Sequence, residues 1–200
     1  MAMTTRLTAG ARREQLLDAT KAIVARRGFH AVSIEAVARE AGITRPIVYG
    51  HFADLAGLLE ALVIRETARA LEQLAAVLPT DLTEGDPSEL LVAALRGYLE
   101  VVAGDPETWR LVLMPQEGAP ASLQEQVGRG RAAVIAQLAD AVGPGLVAGS
   151  ESPDPELTAR LLSALADEAA RLLLSDPAGY PIERILRFAR WALAQLAGPR

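Results

Sequence analysis

SIEAVAREAGITRPIVYGHF, residues 33 to 52, holds two short helical patterns and the turn that joins them. Ile34, Val37 and Ala38 recur at helical spacing in the first pattern, and Ile47, Val48 and Phe52 do so in the second. Ala41-Gly42-Ile43 lies between them. Gly42 can take the positive φ of a sharp corner, Ala41 is small enough for the helices to close over it, and Ile43 can plug the corner. Thr44 is expected to cap the second helix with its side-chain oxygen, and Pro46 falls in the first turn, where no donor is missed. Two helices on so short a turn form a helix-turn-helix, whose second helix can enter a DNA major groove.

The surrounding residues extend the pattern. Gly28-Phe29, Ser33-Ile34, Val37-Ala38, Ala41-Gly42-Ile43 and above all Val48-Tyr49-Gly50-His51-Phe52 resemble the N-terminal domain of TetR-family transcriptional regulators, over about Arg12 to Val63. The resemblance implies that Tyr49 and His51, flanking Gly50, contact phosphates. It further implies that Thr44, Arg45 and Pro46 open the recognition helix against bases or backbone, and that Ser33 touches phosphate while capping the preceding helix. Family members commonly carry a Lys near the start of the fourth helix as a phosphate donor. Leu55 stands there in this chain, so that contact is missing, and nonspecific affinity and its salt slope should be lower by about one phosphate.

Charge bears on the same question. The chain of 200 residues has a net charge of −5, which taken alone argues against a DNA partner. Residues 1 to 52, however, hold eight Arg or Lys against four Asp or Glu, +4, and the remainder is −9. A basic head on an acidic body fits DNA binding by one end; a solvated Arg-rich helix gives the same count. There is no Cys, which excludes disulfides and thiolate metal sites and is compatible with a reducing cytoplasm. The N-terminus lacks an apolar run that would act as a signal sequence. Later apolar stretches are broken well before the ~20 residues of a membrane span. A cytoplasmic protein is expected, with no membrane partner.

Taken in order, residues 1 to 9 read as an arm from which Arg6 reaches a phosphate or the minor groove, unless it is simply a loose terminus. The first helix is expected from about Ala11 to Arg27, with Leu16, Ala19 or Thr20, Ile23 and Arg27 inward and Gly28 ending it. The helix from about Asp54 to Leu78 is long enough to tie the head to a second domain and is the natural mover between them. Asp86-Pro87-Ser88-Glu89, Asp105-Pro106-Glu107 and Asp154-Pro155-Glu156 are further helix starts. Others open near Ser122 and Pro181. An all-α chain of about nine helices is predicted, with a helix-turn-helix head at residues 10–70 (motif 33–52) and an effector-binding and dimerisation domain at 71–200.

The last two helices are apolar beyond what one face of a small domain buries. Leu161, Leu165, Ala169 and Leu172 on one, and Ile185, Ala189, Ala192 and Leu196 on the other, are candidates for a two-fold dimer interface; internal packing is the alternative. Tyr98, Trp109, Met114, Phe188 and Trp191 can line an apolar effector pocket or serve as plain core. Catalysis has no support. His30 and His51 are the only histidines, no paired ligands for a metal are spaced on a helix, and no phosphate loop or nucleophile motif is present, so neither metal nor cofactor is expected. The reading is therefore a homodimeric, DNA-binding repressor of a pseudo-palindromic operator, released by a small apolar effector. A helical-bundle carrier or enzyme with a vestigial helix-turn-helix, or a motif kept for protein packing, are the rivals.

Overall fold

The computed structural model describes residues 7–80, 85–114, 117–143 and 152–196; Arg6 and the side chain of Leu196 lie outside the described residues. Among the described residues nine α-helices follow one another: α1 Ala9–Arg27, α2 Ile34–Glu40, α3 Arg45–Tyr49, α4 Leu55–Ala75, α5 Pro87–Gly104, α6 Pro106–Leu113, α7 Ala121–Val142, α8 Pro155–Ser175 and α9 Ile182–Leu196. A 3-10 turn, Phe29–Ala31, separates α1 from α2, and no strand occurs among the described residues. No described helix is long and apolar enough to cross a membrane.

The chain divides into two compact units, Met1–Ala68 with Pro115–Gln126, and Arg69–Met114 with Val127–Arg200. Residues 117–126 belong to the first unit although they lie far along the chain. A Cβ added at Gly118 would stand 3.5 Å from the His30 backbone nitrogen and 3.8 Å from Phe29 Cβ, so this segment runs against the 3-10 turn.

The first unit is built on an aliphatic core. Leu16 and Leu17 of α1, Val37 of α2, Val48 of α3 and Leu58, Leu62 and Val63 of α4 are all fully buried. Each such side chain contributes roughly 1.5–3 kcal/mol of transfer free energy. Gly28 ends α1 at φ 79°, its N–H donating to the Val24 carbonyl at 2.8 Å. Arg27, expected on the inner stripe, is exposed instead. It stands in the last turn of α1, where a cation in water also complements the helix dipole.

The second unit has two buried clusters. The larger gathers Val92, Leu99, Val102, Trp109, Leu173, Leu174 and Leu186, and the smaller gathers Ile135, Leu138, Val142 and Ala159. Local signals place the helices that carry them. Asp86 Oδ1 accepts from the Ser88 N–H at 2.9 Å and Asp154 Oδ1 from the Leu157 N–H at 2.9 Å, each ahead of a Pro in the first turn.

Candidate nucleic-acid interface

The helix-turn-helix is assembled from short-range chemistry. Ser33 is extended at φ −145°, and its Oγ accepts from the Ala36 N–H at 3.1 Å, opening α2. Gly42 takes φ 67°, the left-handed geometry that L side chains resist, so the chain turns there. The Ala41 and Ile43 N–H groups donate back to Val37 and Ala38 carbonyls, each at 2.9 Å. From α1, Gln15 Nε2 donates to the Ala41 carbonyl at 3.0 Å, pinning the turn to the first helix.

Thr44 departs from expectation. Its side chain makes no capping bond to α3, and the first turn closes through the Ile47 N–H on the Thr44 carbonyl at 3.0 Å. With Pro46 near the start of α3, one fewer N–H needs a partner, so the hydroxyl is left facing solvent. Arg45, Pro46 and Gly50 are exposed too, Tyr49 is 55% exposed and His51 is half-buried. Only Val48 of α3 is buried, at 0%. Thr44, Arg45, Pro46, Tyr49, Gly50 and His51 thus lie on and beside one short helix that turns a single side chain fully inward, and Ser33 stands at the start of α2.

This surface can bind an anion-lined groove. The exposed Ser33 hydroxyl accepts from α2 and still has its proton to donate. Arg45 enters no ion pair among the described residues, so its guanidinium fork is open to a bidentate acceptor. Two other cations of the unit have partners: Arg26 pairs with Glu40 at 2.7 Å, and the Arg13 guanidinium sits 5.0 Å above the Phe52 ring. Leu55, at the start of α4, is half-buried and supplies no charge.

Two features escaped the sequence reading. Ile47, which shares a helical pattern with Val48 and Phe52, is 41% exposed. Glu66, on the buried face of α4 among Leu58, Leu62 and Ala70, is 0% exposed, with Lys21 Nζ at 3.0 Å and Arg65 Nη2 at 2.7 Å. The i, i+4 series 58, 62, 66, 70 carried the only hint, a carboxylate at a position its neighbours make apolar.

In the second unit the five residues expected to share a pocket separate. Tyr98 and Trp109 are buried and pack edge to face, ring centroids 5.3 Å apart at 78°. The Tyr98 hydroxyl donates to Asp167 Oδ1 at 3.1 Å, Asp167 pairs with Arg131, and Trp109 Nε1 donates to Gln73 Oε1 at 2.8 Å. Burial is the largest influence on both members of the first bond: it raises the Tyr98 phenol, and it raises the Asp167 carboxyl against the opposing pull of Arg131. Met114 is half-buried at the end of α6. Phe188 and Trp191 lie at the surface. They are 65% and 58% exposed, because α9 spends its inward positions on Leu186 and neighbours and turns these two rings outward, 5.6 Å apart.

Of the residues expected in a dimer interface, Leu161 and Leu165 are 58% and 69% exposed. Ala169, Leu172, Ile185, Ala189 and Ala192 are half-buried; Ala169, Ile185 and Ala189 pack on the unit's own core. Leu157, at 51%, extends the bare face of α8.

Comparison with known proteins bears on this geometry. Residues 16–62 match the family model of bacterial regulatory proteins, tetR family. The HTH-type transcriptional regulator BetI of Yersinia pestis (strain Pestoides F) is 33% identical over 154 residues, covering 69% of this chain and 78% of that protein. The solved structure of a TetR-like transcriptional regulator from Rhodococcus sp. RHA1 superposes with a TM-score of 0.71 at 26% identity, over 97% of this chain and 100% of that one. The regulator FadR from Bacillus subtilis, solved with stearoyl-CoA, shares the fold alone, with a TM-score of 0.64 at 16% identity over 92% and 97% of the two chains.

Proposed function

The chain belongs to the TetR family of bacterial transcriptional regulators, and on that premise we propose that it is a cytoplasmic repressor that binds a pseudo-palindromic operator as a homodimer and leaves it when a small apolar effector binds. Residues 10–70 would bind DNA and 71–200 would bind the effector and dimerise. Phosphate contacts from Ser33, Tyr49 and His51 would set the register, while Thr44 and Arg45, with Pro46 and Gly50 beside them, face the bases. The observation that carries the reading is the solvent-facing α3, with Arg45 free of any ion pair among the described residues.

Dimerisation follows from information content. One recognition helix reads only a few base pairs, and two of them spaced by about one helical turn multiply the selectivity. The bare leucines of α8 and the outward rings of α9 support that pairing. Release requires an effector that prefers a dimer arrangement unsuited to the operator, since a ligand shifts only an equilibrium whose states it distinguishes.

A gel-shift of the purified protein against DNA upstream of its own gene, at two salt concentrations, tests the proposal. A discrete complex that weakens steeply with salt is expected. Absence of any complex at the lower salt would overturn it.

A further inference from the structure

Ile47, 41% exposed, is the largest apolar side chain exposed on α3 apart from the aromatic Tyr49. Its neighbour Val48, one step of about 100° around the helix, is wholly buried and anchors α3. Gly50 lies three residues on, on the same outer surface as Ile47. A Cβ there would meet only carbonyls of its own helix, Ile47 O at 3.3 Å and Pro46 O at 3.6 Å, so beyond its chain neighbours nothing else in the described chain stands within 4 Å of that point. The outer surface of α3 therefore presents a branched aliphatic group beside a residue with no side chain, two positions from the open guanidinium of Arg45.

The thymine 5-methyl is the one methyl group on the edges of the four bases, and it faces the major groove. Isoleucine suits it: a β-branched side chain is stiff at χ1, so little rotamer freedom is lost on docking. The same side chain pressed against a cytosine amino group would strip water from a donor and return no acceptor. We propose that Ile47 is a specificity residue, packing on a thymine methyl adjacent to the base that Arg45 reads. This rests on the reading of α3 as the groove-entering helix.

The test uses the full-length chain and duplexes that it selects from a randomised pool. In the selected duplex each thymine is replaced by deoxyuridine, which lacks only the 5-methyl, at the same position of both half-sites, and affinity is measured by fluorescence anisotropy. The wild-type chain should lose about fourfold in affinity per half-site at one position, the scale of one buried methyl group. Ile47→Ala should bind the thymine and deoxyuridine duplexes equally at that position, with circular dichroism showing that the variant is folded. A wild-type chain indifferent to every replacement, or an Ile47→Ala chain that keeps the penalty, overturns the proposal. Failure to select any duplex would instead remove the groove-entering helix on which it rests, and is told apart from the first two outcomes by the selection step itself.

Discussion

Lys21 Nζ lies 3.0 Å from Glu66 Oε2, joining α1 to α4 inside the first unit, with the carboxylate fully buried and the Lys side chain 11% exposed. Removing Glu66 takes away the buried carboxylate on which both Lys21 and Arg65 converge. Glu66→Ala should therefore cost about 3–5 kcal/mol in chemical denaturation, whereas Lys21→Met with Glu66→Leu should recover most of that loss. A single variant no worse than the double one would show that the pair is not held as the distance implies.

Gln15 reaches across 26 residues to the Ala41 carbonyl. Gln15→Ala leaves that half-buried oxygen without its donor, at about 1–3 kcal/mol. Because the carbonyl opens the turn before α3, operator affinity should fall along with the melting temperature. An affinity equal to wild type would mean that the turn holds itself.

Arg45→Ala should relax base preference at one position per half-site, worth about 1–3 kcal/mol of discrimination. Tyr49→Ala should weaken all duplexes alike. Leu55→Lys should restore one phosphate contact per protomer and steepen the salt slope by about 0.9 for each. Selection profiles from a randomised pool separate the first two outcomes: a uniform loss for Arg45→Ala would make it a backbone contact.

Leu161→Glu with Leu165→Glu places charge on the bare face of α8, where neither leucine supports the unit's core. Sedimentation velocity should show a monomer, circular dichroism an unchanged helix content, and operator binding should weaken. A persistent dimer would locate the interface elsewhere.

Asp167 gives a pH dependence of unusual sign. Burial raises its carboxyl above the ordinary value, although Arg131 and the Tyr98 hydroxyl act in the other direction. The folded chain thus holds this proton more tightly than the unfolded chain. Stability should fall as pH rises through the interval between the ordinary carboxylate pKa and the raised one, and be regained on acidification. Asp167→Asn should remove that slope from melts taken across the acid range. An identical slope in both proteins would assign it to other groups.

What could be read in advance was local. Ser33, Asp86 and Asp154 cap their helices and Gly42 turns left-handed because a few neighbouring atoms decide each case. Where a face had to be chosen, periodicity ran short. α3 has five residues, too few for a pattern to say that Val48 goes in and Ile47 stays out. Thr44 lost its expected cap because the turn closed through its own carbonyl. Glu66 interrupts an apolar stripe, and nothing short of tertiary contact shows that Lys21 meets it. Leu165, Phe188 and Trp191 are apolar whether they serve the chain's own core or a second copy, so hydrophobicity could not sort pocket from surface.

The chain has two tryptophans, Trp109 enclosed with its ring nitrogen bonded to Gln73 and Trp191 open to water. Their emission should separate by colour, blue from the enclosed indole and red from the open one, with iodide quenching only the second. If α9 meets a second copy, dilution will restore that quenching, so the unlabelled protein carries its own optical gauge of assembly.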